Sequence, residues 1–197
     1  PPKTFEEVVD GELEMIADGH QFTEGPVWSP DGYLLYSDIP ADTIFRWQEG
    51  SGAESFIDPS GNSNGLAFDA MGRLLAAEHG PRRVSRRVLG EDAQTIVDQF
   101  EGKKLNSPND LALRSDGTIY FTDPPYGIQP QDQELAFNGV FRVDPQGALS
   151  LVADDFDRPN GIVLSPDESI LYVADTAKEH VRKFAVQPGG EVTGGEV

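Results

Sequence analysis

The sequence predicts an all-β protein, a β-propeller built from four-stranded antiparallel blades. Three observations predict this fold. A segment of about 15 residues recurs four times, further short strand patterns follow each copy, and no stretch shows a long helical period of apolar residues. A repeat of about 40 to 50 residues that holds four strands is typical of a propeller blade.

Each copy of the repeat has the same order of parts. A polar residue, here called the anchor, opens a short alternating strand; a turn and a more apolar second strand follow, and that strand ends in a carboxylate. The anchors lie 40, 45 and 51 residues apart, and the carboxylates follow them by 14, 14, 14 and 15 residues. The anchors are Glu24, Asn64, Asn109 and Asn160, and the terminal carboxylates are Asp38, Glu78, Asp123 and Asp175.

Two more strand patterns complete each unit. The third strands are predicted in "TIFRWQEG", "RVSRRVLG", "GVFRVDPQG" and "HVRKFAVQPG", and the fourth in "AESFIDP", "AQTIVDQF" and "ALSLVADDF". Turn residues separate these patterns. The sequence therefore predicts a single propeller domain over residues 1–197, with blades that start near residues 24, 64, 109 and 160.

The segment "ELEMIADG", residues 12–19, resembles the fourth-strand patterns although it precedes the first blade. It is therefore predicted to be an outer strand that closes a ring. Two alternatives stay open. Residues 12–19 complete the fourth blade of a four-bladed ring, or the chain is part of a larger ring and "GEVTGGEV", residues 190–197, is a hairpin leading into the outer strand of blade four.

Composition excludes several classes of function. The 197 residues contain no cysteine, which excludes disulfides, thiolate metal sites and a cysteine nucleophile. The net charge of −19 disfavours a nucleic-acid partner, because phosphates would be repelled. No apolar run approaches the roughly 18 residues of a membrane span, and no signal peptide is visible at the start. We therefore expect a soluble cytoplasmic or periplasmic protein with no membrane partner.

The anchors and terminal carboxylates are expected at one mouth of the central channel, because the start of one antiparallel strand neighbours the end of the next. Carboxylate and amide oxygens suit a hard cation such as Ca²⁺, with Mg²⁺, Mn²⁺ and Zn²⁺ as alternatives. The other interpretation is structural, since Asn and Asp cap turns and carboxylates accept hydrogen bonds from backbone amides. Glu24 favours the metal, because Glu is a poor turn former.

Four motifs carry a resemblance to a known family: "EGPVW", "EHGPRRVSR", "LNSPNDLALRSDGTIYFTDPPYG" and "RPNGIVLSPD". Over residues 20–197 the chain resembles the gluconolactonase/regucalcin/luciferin-regenerating enzyme family, in its bacterial gluconolactonase-like branch. The resemblance implies a six-bladed propeller that holds one divalent metal in its channel and hydrolyses lactones. It also implies that this chain, with about four blades, is a C-terminally truncated member.

The resemblance also implies roles for single residues. Glu24, Asn109 and Asn160 match metal ligands of the family, and Asn109 matches a residue that contacts either metal or substrate. The family's general-base Asp belongs to the fifth blade, beyond Val197, so the catalytic residue is unknown here. Ser107 stands where some members carry a substrate-binding Arg, so the substrate contacts are expected to differ.

His79 and Tyr126 complete the candidate substrate site with Asn109. His79 follows the second strand of blade two, near the expected mouth, and its alternative is a surface-loop histidine. Tyr126 lies in a long loop, residues 124–138, predicted to be a lid with Tyr126 and Phe137 as wall residues. The Asp110 side chain is expected on the other face of its strand, as a supporting or turn residue.

The sequence thus favours metal-dependent hydrolysis of a sugar lactone or similar cyclic ester. One alternative is a non-catalytic propeller that holds calcium and binds a ligand or partner. Another is a relative that hydrolyses organophosphates. Exposed blade edges further predict self-association, or a complex with a C-terminal remainder.

Overall fold

The computed structural model describes residues 11–197 and contains four antiparallel sheets, each with four strands in chain order. Sheet 1 consists of β1 (Thr23–Ser29), β2 (Tyr33–Asp38), β3 (Thr43–Gln48) and β4 (Gly52–Ile57). Sheet 2 consists of β5 (Ser63–Phe68), β6 (Leu74–Glu78), β7 (Arg83–Arg87) and β8 (Gln94–Val97). Each of the first two repeats therefore forms one sheet.

The remaining two repeats form sheets of the same topology. A two-stranded ribbon of β9 (Gln99–Phe100) and β10 (Lys103–Lys104) leads into sheet 3. Sheet 3 consists of β11 (Leu111–Leu113), β12 (Ile119–Asp123), β13 (Asn138–Val143) and β14 (Leu149–Phe156). Sheet 4 consists of β15 (Pro159–Leu164), β16 (Ile170–Asp175), β17 (His180–Val186) and β18 (Val192–Glu196). The predicted all-β class and four-stranded antiparallel units are confirmed.

The turns between the first two strands of sheets 2 and 3 form because an Asp side chain accepts hydrogen bonds from backbone N–H groups that the turn leaves unpaired. In the β5–β6 turn, Asp69 Oδ1 accepts the backbone N–H groups of Met71 and Arg73, each at 2.9 Å. In the β11–β12 turn, Asp116 Oδ1 accepts the N–H of Thr118 at 2.9 Å. These turns set the register of the two strands that carry each anchor and each terminal carboxylate.

The apolar second strands are explained by burial on both faces. On β6, Leu74 and Ala76 pack in a core between sheets 1 and 2, whereas Leu75 and Ala77 pack in the core between sheets 2 and 3. Because side chains alternate between the faces of a strand, one strand serves two cores. The second strands therefore read as nearly continuous apolar runs.

Strand β12 follows the same rule one sheet further along. Phe121 packs in the core between sheets 2 and 3, and Tyr120 packs in the core between sheets 3 and 4. The Tyr120 hydroxyl donates a hydrogen bond to the carbonyl of Gly190 at 2.6 Å, which satisfies its buried polar end. Consecutive sheets are thus joined face to face by three hydrophobic cores.

The first strand of each sheet, namely β1, β5, β11 and β15, packs against the first strand of the next. In three of these strands the pairing register shifts at the anchor, between Glu24 and Val27, Ser63 and Leu66, and Pro159 and Ile162. Such bulges redirect side chains locally. The bulge therefore takes Asn64 and Asn160 out of the regular ladder, whereas Glu24 stays paired with Ser37 just before its bulge.

Near the chain ends, two predictions for the outer strand of sheet 4 are wrong, while the closing of a larger ring by residues 12–19 stays a prediction. Residues 12–19 form no strand, and the large side chains Leu13 and Met15 are 92% and 77% exposed. Residues 192–196 are not a hairpin leading into an outer strand but are that strand, β18, paired with β17. Since β18 occupies the outer position of sheet 4, residues 12–19 find no sheet there to complete.

Residues 11–197 include no helix with the length and apolarity that a membrane crossing requires. The one helical element within residues 11–197 is a short 3₁₀ helix at Pro130–Asp132. It lies inside the long loop that follows β12.

Candidate functional site

Three of the four anchors form one hydrogen-bonded row across three sheets. The Asn64 Nδ2 group donates to Asn109 Oδ1 at 2.8 Å, and Asn109 Nδ2 donates to Asn160 Oδ1 at 3.0 Å. Asn64 and Asn109 are buried, and Asn160 is half-buried. The anchors therefore meet each other rather than capping their own turns.

Glu24 extends the row into sheet 1. It pairs with Ser37 in the ladder, and the next residue, Gly25, lies directly against the Asn64 carbonyl with a φ of +58°. A side chain at position 25 would collide with that carbonyl, so the close approach of β1 and β5 requires glycine. Burial raises the pKa of Asp110, and the charge of Glu24 adds a smaller contribution in the same direction.

Asp110 links sheets 3 and 4 beside this row. Its Oδ1 accepts the N–H of Leu111 at 2.9 Å, and its Oδ2 accepts the N–H of Ile162 at 3.0 Å. Burial is the main cause that raises the pKa of Asp110. The Asp110 carboxylate lies directly against Gly65. A Cβ atom at position 65 would be 2.5 Å from Asp110 Oδ1, so the contact requires a glycine there. Asp110 is therefore a structural bridge next to Asn109.

The terminal carboxylates mostly hold backbone amides, as the structural interpretation predicts. Asp38, Asp123 and Asp175 each accept hydrogen bonds from two consecutive N–H groups in the segment before the first strand. The donors are Gln21 and Phe22, Asn106 and Ser107, and Asp157 and Arg158, at 2.7 to 3.1 Å. These three carboxylates fix the approach to each anchor.

Glu78 departs from this pattern. Its carboxylate, fully buried, pairs with the Arg83 Nε group at 2.6 Å and accepts the hydroxyl of Ser85. The longer side chain reaches along its own sheet instead of back to the preceding segment. An arginine from the basic run at residues 82–87 thus neutralises a buried acid.

His79 lies in the interior beside the anchor row. It is 7% exposed, and its Nε2 atom has no hydrogen-bond partner among the described residues. Burial lowers the pKa of His79 to about 4, and the neighbouring Asn109 side chain offsets part of that effect. The imidazole is therefore neutral at physiological pH. The surface-loop interpretation of His79 is wrong.

The long loop covers this histidine. Gly127 approaches so closely that a Cβ there would be 2.7 Å from His79 Cβ, and its N–H donates to Ser107 Oγ at 2.9 Å. Tyr126, one residue earlier, is 37% exposed, and its hydroxyl lies 3.5 Å from Asn160 Nδ2. His79 thus adjoins Asn109, whereas Tyr126 reaches the anchor row through Asn160.

Phe137 does not line this site, and its prediction as a wall residue is wrong. Its ring packs against Phe100 and Phe141, with centroids 6.4 and 6.3 Å away, at the core between sheets 2 and 3. The reason is that the loop returns to sheet 3 at this point. An apolar residue near a strand start is then covered by the core.

The donor set of the anchor row suits a hard cation. Within residues 11–197 no three His, Cys, Asp or Glu side chains cluster as a metal site. The row instead offers one carboxylate, Glu24, and the side-chain oxygens of Asn109 and Asn160. Each amide oxygen accepts one hydrogen bond and retains a second lone pair. These residues therefore fit Ca²⁺ better than a metal that prefers nitrogen or sulfur.

The sequence alone does not predict two contacts of this site. Asn64 is an anchor by its repeat position, yet its direct bond to Asn109 depends on how the sheets are inclined. The Arg158 guanidinium lies 5.7 Å from the centroid of the Tyr126 ring, a contact between two different sheets. The only sequence signal for Arg158 is its position two residues before an anchor.

Comparisons with known proteins agree with this architecture. A family model described as SMP-30/Gluconolactonase/LRE-like region matches residues 22–197. A gluconolactonase from Zymomonas mobilis is 37% identical over 199 residues, covering 90% of this chain and 56% of the relative. A solved gluconolactonase structure from Xanthomonas campestris superposes with a TM-score of 0.84 at 37% identity, covering 91% of this chain and 63% of that chain.

A regucalcin structure from Agrobacterium tumefaciens shares the fold, with a TM-score of 0.71 at 18% identity over 89% of this chain and 58% of that chain. The chain thus spans less than two thirds of the length of these three relatives. The family match takes in all four sheets and the whole anchor row. The chain belongs to the SMP-30/gluconolactonase/LRE-like family.

Proposed function

We propose that this chain belongs to a metal-dependent lactonase that hydrolyses a sugar lactone or a similar cyclic ester. In this proposal the four sheets are successive blades of a β-propeller, and their first strands line its channel. The observation that carries the proposal is the anchor row, in which polar side chains from separate sheets meet at one place. The gluconolactonases among the relatives support the choice of substrate class.

Glu24, Asn109 and Asn160 are the proposed ligands of one divalent cation, for which Ca²⁺ is favoured. Zn²⁺, Mg²⁺ and Mn²⁺ are the alternatives to be compared. Such a cation, when bound, would polarise the lactone carbonyl and stabilise negative charge on its oxygen. Asn64 takes no part as a ligand and orients the Asn109 amide by its hydrogen bond.

Asn109, His79 and Tyr126 are proposed to bind the lactone. A neutral imidazole with a free Nε2 offers one hydrogen bond to a substrate oxygen without adding charge to the site. The loop over His79 limits the access of water, because Gly127 packs against His79 and is held there by its hydrogen bond to Ser107. No general base is assigned within residues 11–197, and the family resemblance places that carboxylate in a fifth blade.

Calcium titration by calorimetry tests the metal site. We expect one Ca²⁺ per chain, and we expect Glu24→Gln to weaken binding tenfold or more, which is about 1.4 kcal/mol. Asn160→Asp adds a carboxylate to the row and is expected to change the affinity as well. Glu91→Gln, in the exposed β7–β8 turn, is the matched control that removes one charge elsewhere. Equal affinity in the Glu24 and Glu91 variants would refute the proposed ligand set.

Hydrolysis of glucono-1,5-lactone, followed by acid release, then separates the enzyme from a binding module. Calcium-dependent turnover that Glu24→Gln abolishes supports the lactonase. Calcium binding without turnover of lactones or organophosphates supports the non-catalytic calcium-holding protein. Light scattering on the same samples tests the proposed self-association, which a single monomeric species would contradict.

A further inference from the structure

Arg158 is an unpaired cation in a strongly acidic protein. The chain has a net charge of −19 and ten arginines. Eight of these lie within 4.0 Å of a carboxylate, namely Arg46, Arg73, Arg82, Arg83, Arg87, Arg114, Arg142 and Arg182. Among residues 11–197, Arg86 and Arg158 have no such partner. Acids are abundant, so the isolation of Arg158 needs an explanation.

The position of Arg158 is fixed at the candidate site. Its backbone N–H donates to Asp175 Oδ1 at 3.0 Å, and its carbonyl accepts the N–H of Thr176 at 3.0 Å. Its side chain is exposed and extends from this fixed point, two residues before Asn160, towards the long loop. The guanidinium lies 5.7 Å from the centroid of the Tyr126 ring.

Tyr126 connects Arg158 to the anchor row. The Tyr126 hydroxyl is 3.5 Å from Asn160 Nδ2, so the same ring contacts both the guanidinium and an anchor. Attraction between a cation and the face of an aromatic ring restrains the long arginine side chain. The guanidinium is thereby held beside the site, and its N–H groups form no hydrogen bond with residues 11–197.

A guanidinium with free N–H groups matches the oxygens of a carboxylate or a phosphate, which it binds through two parallel hydrogen bonds. The net negative charge of the protein does not prevent this, because charges more than about 8 Å away are largely screened at physiological ionic strength. The nearby Arg158 guanidinium therefore determines whether an anionic group binds at this side of the site.

We propose that the site takes a sugar lactone that carries an anionic substituent, and that Arg158 selects this substrate by binding the substituent. Arg158 is a specificity residue and takes no part in bond breaking. The inference rests on the proposed function, because it takes the bound anionic group to be part of a lactone substrate. The competing explanation is that Arg158 only anchors the loop through Tyr126.

The first experiment measures binding without turnover. The full chain, in EDTA so that no free cation bridges the phosphate, is titrated by calorimetry with gluconate and with 6-phosphogluconate. We expect the phosphorylated acid to bind at least tenfold more tightly. Arg158→Gln is expected to abolish this preference, and Arg86→Gln to retain it. Arg86 is the matched control because it is also unpaired but lies on β7, beside the far turn of sheet 3 at Gly117.

Three results would overturn the inference: no preference in the unsubstituted chain, an unchanged preference in Arg158→Gln, or an equal loss in Arg86→Gln. The comparison of the two ligands also separates selection from loop anchoring. If Arg158 only anchors the loop, Arg158→Gln will weaken gluconate and 6-phosphogluconate by the same factor, and this result too would overturn the inference.

The second experiment compares kcat/KM for glucono-1,5-lactone and its 6-phosphate ester with calcium present. Arg158→Gln is expected to lower the value for the phosphate ester at least tenfold and to leave the neutral lactone within twofold. Turnover of both lactones with no effect of Arg158→Gln refutes the inference while the proposed lactonase stands. Arg158-dependent anion binding without any lactone turnover refutes the lactonase while the anion site stands.

Discussion

The side-chain amide of Asn64 donates a hydrogen bond to the side-chain oxygen of Asn109 across 2.8 Å, and both residues are at most 5% exposed. The two residues belong to different sheets and are 45 positions apart. Their bond fixes which end of the Asn109 amide faces Asn160, because the remaining N–H₂ group must then donate onward. One buried contact between sheets thus sets the orientation of two candidate ligands.

A double-mutant cycle of Asn64→Leu and Asn109→Leu measures this contact. Each single substitution leaves a buried polar group without its partner, so we expect each to lower the free energy of unfolding by about 1 to 3 kcal/mol. The free energy of unfolding of the double variant is expected to fall by about 1 kcal/mol less than the sum of the two single losses. The reason is that the second substitution removes a group that the first has already left unpaired. Urea denaturation followed by tryptophan fluorescence gives the values.

The control for this cycle pairs Asn64→Leu with Asn138→Leu. Asn138 donates to the Asp157 carbonyl and shares no hydrogen-bond partner with Asn64. Those two substitutions are expected to be additive. Additive losses in the Asn64 and Asn109 cycle as well would contradict the proposed coupling.

Gly65→Ala is expected to destabilise the chain, whereas Gly161→Ala is tolerated. A Cβ at position 65 would lie 2.7 Å from the Asp110 Cα, which is backbone and does not move aside. A Cβ at position 161 would have only Asp110 Oδ2 near it, at 4.0 Å. We expect a loss of about 1 to 3 kcal/mol for Gly65→Ala, from overpacking, and less than about 0.5 kcal/mol for Gly161→Ala.

The two glycines are a matched pair because each follows an asparagine anchor in an "NG" motif. Thermal unfolding of both variants under one set of conditions makes the comparison. Similar melting temperatures would show that the first strands of sheets 2 and 3 have room to separate, and would contradict the close packing of Gly65 against Asp110.

The sequence predicts the four sheets, and the position of each terminal carboxylate beside the start of the first strand, for a definite reason. Both follow from pairing between consecutive strands, which the alternation and the turns between the strands set. Contacts between sheets depend on how the sheets are inclined to one another. The bonds from Asn64 to Asn109 and from Asp110 to Ile162 are of this kind. No local pattern encodes them.

The wrong predictions have a common physical origin. Residues 12–19 have the composition of an outer strand, but a strand also needs an unpaired neighbour, and β18 already occupies the outer position of sheet 4. Phe137 has the apolar character of a wall residue, but Phe100 and Phe141 offer it a core. In both cases the pattern describes the segment correctly, and the availability of partners decides its place.

Asp123→Asn is expected to have an effect that shrinks as pH rises. Burial raises the pKa of Asp123 from its ordinary 3.8 to about 7, although the N–H groups of Asn106 and Ser107 and the Arg82 charge oppose it. Between about pH 4 and 7 the folded chain holds a proton that the unfolded chain releases, so stability falls as pH rises through this window. Urea denaturation from pH 3 to 8 should show the largest loss near pH 4.

Asp175→Asn is the variant to compare with Asp123→Asn, because Asp175 also accepts hydrogen bonds from two consecutive backbone N–H groups. Burial opposes ionisation there as well, but the N–H groups of Arg158 and Asp157 and the nearby Lys178 lower the pKa of Asp175. Its contribution is therefore present above pH 3.8 and is lost as pH falls below that value. The Asp175→Asn loss should be largest at neutral pH. Parallel pH profiles for the two variants would contradict this assignment.

Arg82→Met is expected to loosen the loop at residues 124–138. The Arg82 Nε group donates to the carbonyls of Leu105 and Asn106 at 2.6 and 3.0 Å, and Nη1 donates to that of Asp132 at 3.1 Å. The guanidinium therefore ties the loop to the segment that approaches Asn109. Losing it leaves these carbonyls unpaired, at a cost of about 1 to 3 kcal/mol, and hydrogen–deuterium exchange should rise throughout the loop.

Arg46→Met is the control for Arg82→Met, because it removes an arginine whose pair with Glu54 is exposed and lies in sheet 1. Exposed pairs contribute about 0 to 1 kcal/mol, so this variant should leave both stability and loop exchange nearly unchanged. Increased exchange confined to residues 124–138 in Arg82→Met would show that one buried guanidinium holds the cover of His79 in place. Exchange equal to that of Arg46→Met would instead mean that the burial of Leu135, which is 3% exposed, suffices to hold the loop.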